Sequence, residues 1–183
     1  MAAQVLSAAV LEWVAARDFR LMRRVNGWTP PGWMRLWMVA ATRGGDGWLW
    51  YGFGAAVAVL GGPVRFHALL AAVLAVGLGI ALFIRLKRWC GRKRPCALAP
   101  HCWATLLPPD QFSFPSGHTI TAFAVAGSLT AFYPALFPAL LFCAVSVAAS
   151  RILLGMHFLS DVLAGAAIGA GLGWSVAAVV RCA

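Results

Sequence analysis

Three short clusters within residues 87–161 carry side chains suited to holding an anion or moving a proton. The first is Lys87-Arg88-Trp89-Cys90-Gly91-Arg92-Lys93-Arg94-Pro95, with five cations in nine residues. Beside a bilayer such a run also serves simply to meet anionic headgroups. Lys87 and Arg94 are seven apart, so a continuing helix would place both on one face, and Pro95 would end it. The second cluster is Pro115-Ser116-Gly117-His118. Ser116 is a candidate N-cap, and the free N–H groups of a helix start, approached closely at a glycine, suit an anion such as phosphate. The third is Ser150-Arg151, then His157, then Asp161. His157 and Asp161 are spaced i, i+4 and can meet on one helix face, where a carboxylate on one ring nitrogen would leave the other free to act as nucleophile. Each cluster alone has an ordinary reading as headgroup contact, capped helix or snorkelling cation.

The elements that must position these clusters are membrane helices. The chain is 62% hydrophobic with only 11% charged residues, and its mean hydropathy is +0.81. Soluble domains carry about 25% charged residues, so composition alone places this chain in a bilayer. The net charge of +10 fits an anionic lipid surface better than nucleic acid in so apolar a chain. Residues 4–25 form an amphipathic helix that ends in Arg17, Arg20, Arg23 and Arg24, suited to the interface or to packing on the bundle. A turn around Pro30-Pro31 leads to a second, Trp-rich interfacial segment over 33–43. Charge-free stretches over 47–64, 66–84 and 162–180 approach the roughly 20 residues that a span requires. The stretch 119–150 is too long for one span, and Tyr133-Pro134 and Pro138 divide it into two helices. The expectation is an all-α bundle of five spanning helices, or six, with interfacial helices over 1–46 and a membrane core over 47–183. Gly165, Gly169 and Gly173 share a helix face and would permit close packing. On this topology all three clusters gather at one face of the membrane.

Read in order, K-x6-R-P, P-S-G-H and S-R-x5-H-x3-D resemble the three-part signature of the type 2 phosphatidic acid phosphatase family, whose superfamily includes vanadium haloperoxidases and bacterial acid phosphatases. Every motif position is matched. The resemblance implies that Lys87, Arg94 and Arg151 hold phosphoryl oxygens, assisted by Ser116 and the Gly117 N–H. It implies that His157 attacks phosphorus, that Asp161 orients His157, and that His118 protonates the leaving oxygen. No metal or other cofactor is implied: three cations and a helix start neutralise phosphoryl charge, and no acidic cluster would hold magnesium. A haloperoxidase, or a lipid transporter keeping a phosphatase-like pocket, are the competing classes.

The implied partner is a membrane lipid. Among the family's substrates, the extra charge of Arg88, Arg92 and Lys93 favours undecaprenyl diphosphate over phosphatidic acid or phosphatidylglycerol phosphate. The family likeness places the active face outside the inner membrane. The basic residues, concentrated on that same face, argue for the cytoplasm. Cys90, Cys96 and Cys102 share one loop region, where an oxidising environment would allow a disulfide.

Overall fold

The computed structural model describes residues 2–99, 103 and 110–183. Eight helices follow in order: α1 Ala2–Asn26, α2 Gly32–Gly45, α3 Trp48–Leu60, α4 Arg65–Cys90, α5 Pro95–Leu98, α6 Gly117–Phe132, α7 Phe137–Leu153 and α8 Leu159–Cys182. No strand occurs among the described residues. The protein is an all-α membrane bundle. The α4 segment with its leading turn, the α7 segment with its leading turn, and α8 are each long and apolar enough to cross a bilayer. Helix α3 has 13 residues and is also apolar. The predicted span over 47–64 therefore divides: a 3-10 turn at Gly62–Val64 already reverses the chain toward α4.

Helix α6 is the centre of the bundle, with 11 of its 16 residues buried against α4, α7 and α8. It can be central because its neighbours present small residues. Helix α4 buries Ala68, Ala71, Ala72, Ala75 and Gly79. Helix α8 buries Gly165, Gly169 and Gly173, as the spacing predicts. A Cβ on Gly169 would lie 2.3 Å from the Ile120 carbonyl oxygen, and one on Gly173 would lie 2.6 Å from that of Ala124. The two backbones are therefore in direct contact, as small-residue membrane interfaces allow.

The turns follow local chemistry. Tyr133 and Pro134 separate α6 from α7, and the Tyr133 hydroxyl donates to the Gly61 carbonyl at 2.8 Å, tying the two turns at that end together. Helix α4 stops at Cys90 because Gly91 takes the left-handed conformation at φ +60°, a common glycine cap. This corrects the expectation that one helix carries both Lys87 and Arg94. Lys87 lies in the last turn of α4, whereas Arg94 lies beyond it in extended backbone.

Helix α1 docks through Met22 and Asp18, both buried, while Trp13 and Phe19 stay exposed. Helix α2 packs on α7 and buries Met38, Thr42 and Gly45. Cys90 and Cys96 are free thiols. Cys102 lies outside the described residues.

Candidate active site

His157 sits in the tight turn between α7 and α8, with its backbone N–H bonded to the Arg151 carbonyl at 2.9 Å. Its ring is 2% exposed. The Nδ1 atom lies 2.6 Å from the Ser113 carbonyl oxygen. A carbonyl only accepts, so Nδ1 carries the proton and Nε2 keeps its lone pair. Burial, reinforced by the charges of Arg151 and Arg94 and only partly offset by Asp161, lowers the ring to a pKa of about 4. His157 is thus a neutral imidazole near pH 7 with an unprotonated Nε2.

The segment that supplies the Ser113 carbonyl is held by its own bonds. The Ser113 N–H donates to the Arg92 carbonyl at 2.7 Å, and a single antiparallel bridge joins Lys93 to Phe112. The loop after α4 thereby positions the partner of His157.

Asp161 lies near His157, as its spacing predicts, but is not bonded to it. Its Oδ2 lies 3.8 Å from His157 Nδ1, beyond hydrogen-bond range. Instead Oδ2 accepts the Phe158 N–H at 2.8 Å, closing the first turn of α8, and Oδ1 accepts Arg92 Nη1 at 2.7 Å. The i, i+4 argument assumed one helix through both residues. Helix α8 begins only at Leu159, after His157. Arg92 also pairs with the buried Asp18 of α1 at 2.7 Å and with Ser160 Oγ at 2.7 Å, so it faces the α1–α8 junction.

The cations converge as predicted by position. Arg94 is 2% exposed, and its Nη1 donates to the Met156 carbonyl at 2.9 Å and lies 3.1 Å from His157 Nε2. Its Nη2 and the Lys87 ammonium share the carboxylate of Asp110. Burial pushes the Asp110 carboxyl up, but hydrogen bonds from Lys87 and Arg94 outweigh that and hold it below the ordinary range. Arg151 donates through Nη1 to the Thr42 hydroxyl of α2. Its Nε is buried and has no partner among the described residues. A buried guanidinium donor left without a partner at the wall of a cavity suits an anion.

Ser116 occupies the N-cap position of α6, but its side chain makes no capping bond. Its hydroxyl oxygen accepts from Thr119 at 2.9 Å, and its N–H is taken by the Asp161 carbonyl at 3.2 Å. Gly117 and His118 follow and face a cavity of about 950 Å³. Lys87, Arg94, Asp110, Arg151 and His157 line the same end of the chamber's walls, with Asp46. Ser116 and Asp161 do not line it. The remainder is apolar, walled by α3 and α4 with Val125 and Leu129 of α6 behind. Tyr51 of α3 and Val73 of α4 line it and are themselves exposed.

Fold and site together define a class: a membrane-embedded helical protein with two histidines and three cations at the head of an apolar chamber. The chain belongs to the PAP2 superfamily, whose family model matches residues 67–182. It is 35% identical to the lipid A 1-phosphatase of Rhizobium johnstonii over 46% of this chain, a match that spans only 36% of that protein. It is 34% identical to the decaprenylphosphoryl-5-phosphoribose phosphatase of Mycobacterium tuberculosis over 69% of this chain and 68% of that one. Among solved structures it resembles the transmembrane PAP2-type phosphatidylglycerolphosphate phosphatase of Bacillus subtilis. That likeness has a TM-score of 0.73 and 27% identity, and it covers 98% of this chain and 92% of the other. Aquifex aeolicus LpxE is similar at TM-score 0.72 and 27% identity, over 86% of this chain and 93% of that one.

Four contributors have no counterpart in the sequence motifs: the Ser113 carbonyl, Asp110, Thr42 and Asp46. Scarcity was an available signal for two of them. The chain has only five acidic residues, and Asp46 and Asp110 are among them.

Proposed function

We propose that the protein hydrolyses a terminal phosphate from a membrane lipid through a phosphohistidine on His157. The observation that supports this best is the neutral His157 ring, held by Ser113, at the polar end of a chamber whose other walls are mostly apolar. The phosphoryl group would share Lys87 and Arg94 with the Asp110 carboxylate and take up the free Arg151 Nε–H. His157 Nε2 would then attack in line, with the lipid oxygen leaving toward His118. The lipid chain would lie between α3 and α4. The charge stabilisation in this scheme comes from the protein's own side chains.

The substrate reading shifts with the structure. The preference for undecaprenyl diphosphate rested on Arg88, Arg92 and Lys93, and none of the three lines the cavity. Arg92 instead faces Asp18 and Asp161. Lys87, Arg94 and Arg151, set against Asp110, leave two positive charges in the chamber apart from the Asp46–His118 pair. Two charges match one phosphomonoester dianion. A lipid monoester is therefore the proposed substrate, as the names of the phosphatidylglycerolphosphate and phosphoribose phosphatase relatives also favour. In matched detergent micelles, phosphatidic acid is expected to show a higher kcat/KM than an isoprenoid diphosphate. A tenfold preference for the diphosphate, about 1.4 kcal/mol in the transition state, would reverse the choice.

The active face is proposed to lie on the outer side of the inner membrane, on the strength of the family likeness. The opposing count of basic residues is weakened because Lys87, Arg92 and Arg94 are engaged by carboxylates and Arg151 by Thr42. Cys90 is exposed at that end of α4. A membrane-impermeant maleimide should label it in intact cells; labelling only after permeabilisation would place the site in the cytoplasm.

A further inference from the structure

The segment Gly44-Gly45-Asp46-Gly47, the end of α2 and the turn to α3, lies outside all three motifs, yet it is fitted closely to His118. Asp46 Oδ1 lies 2.6 Å from His118 Nε2. The glycines on either side make this approach possible. A Cβ on Gly45 would stand 2.9 Å from a Val147 methyl and 3.4 Å from the His118 ring, so any larger residue would push the turn off α7 and away from the histidine. Gly47 has φ +137°, which L-residues rarely adopt. Both Asp46 and His118 line the chamber.

We propose that Asp46 is a positioning residue for the proton donor, acting on the lipid oxygen through His118. This rests on the phosphatase reading above and adds a residue to it. The charged groups acting on His118 besides Asp46 are Arg151 of α7 and Arg94 of the segment after α4. Burial and the two guanidiniums disfavour a positive charge on the imidazole, and the adjacent carboxylate favours it. Asp46 is the only carboxylate that bonds His118 among the described residues. By holding Nε2–H it also fixes the ring, leaving Nδ1 to deliver the proton.

The chemistry balances in two halves. In the first, the His157 Nε2 lone pair forms the N–P bond and the P–O bond to the lipid breaks. The His118 imidazolium gives its proton to the departing oxygen and becomes neutral. In the second, the neutral His118 takes a proton from water as the water oxygen attacks phosphorus. The N–P bond breaks, inorganic phosphate leaves and the imidazolium is restored.

Asp46 is 57% exposed, and exposed ion pairs contribute little to folding, so its removal should leave the bundle intact. The test compares two leaving groups. Phosphatidic acid must release an alkoxide, which needs a proton. p-Nitrophenyl phosphate releases a stabilised phenolate, which does not. Asp46→Asn should lower kcat/KM for phosphatidic acid by about 30-fold, a share of the roughly 10²–10⁴ typical of acid catalysis, and change that for p-nitrophenyl phosphate by less than about threefold. In a His118→Ala background, Asp46→Asn should add no further loss, because the carboxylate acts only through that ring. Equal losses on both substrates, or additive losses in the double variant, would overturn the assignment. The underlying phosphatase reading is tested separately, by turnover of His157→Ala.

Discussion

Replacing His157 with Ala is expected to cut lipid phosphate hydrolysis by about four orders of magnitude or more, as removal of a covalent nucleophile does elsewhere. Because the ring is buried at 2% exposure, His157→Asn is the better companion variant. Its amide N–H can keep the bond to the Ser113 carbonyl while offering no nucleophilic nitrogen. Both should fail to trap an acid-labile phosphoenzyme from labelled substrate, whereas the wild type should form one. Retained turnover in either would remove the nucleophile assignment. The same residue sets a pH expectation. Attack needs the neutral ring, and burial sets its protonation at about 4 in place of 6.5. The neutral form therefore persists as pH falls from about 7.5 to about 5.5, and kcat/KM should not show the roughly tenfold drop over that window that an ordinary histidine nucleophile would give. An acid limb with an apparent pKa near 6.5 would contradict the buried, carbonyl-held ring.

The second large effect concerns the α6–α8 contact. Gly169→Ala would place a methyl 2.3 Å from the Ile120 oxygen and 3.1 Å from the Ala124 nitrogen, so backbone rather than side chain must yield. Overpacking usually costs about 1–3 kcal/mol where side chains can shift; here about 3 kcal/mol or more is expected, or a Tm fall of roughly 10 °C. Helix α6 carries Gly117 and His118 at its head, and α8 carries Asp161, so activity should fall with stability. Gly171 is the control, because a methyl group there would meet nothing within 4 Å. Gly171→Ala should leave Tm unchanged or slightly higher, since alanine is the better helix former by about 1 kcal/mol. Wild-type stability in detergent for Gly169→Ala would show that the helices are not in backbone contact.

The helices were legible because hydropathy and proline act locally: Tyr133-Pro134 broke the long apolar stretch where expected, and the α8 glycines faced α6. The cations and histidines met because the topology put both motif-bearing loops at one end. What the sequence hid was second-partner chemistry. The acceptor for His157 is a backbone carbonyl, and carbonyls have no residue signature. Asp161 does come within 3.8 Å of His157, but without a hydrogen bond, because α8 begins only after His157. Arg92 looked like substrate-facing charge, but its orientation depends on Asp18, 74 residues earlier in the chain. Asp46 sat in a glycine-rich string that reads as a plain turn, and only its 2.6 Å approach to His118 singles it out.

On the proposed reading, in which the lipid chain lies between α3 and α4, concentration takes on a different meaning for this protein. A molecule entering there diffuses in two dimensions and arrives with its tail already solvated by neighbouring tails. The occupancy of the chamber then follows the mole fraction of phospholipid in the surrounding leaflet, not the amount per volume of buffer. Adding inert detergent at constant substrate dilutes that surface and slows turnover, although no bulk quantity has changed. On that reading the two products would part by phase: phosphate into water, and the dephosphorylated lipid back into the leaflet that supplied it.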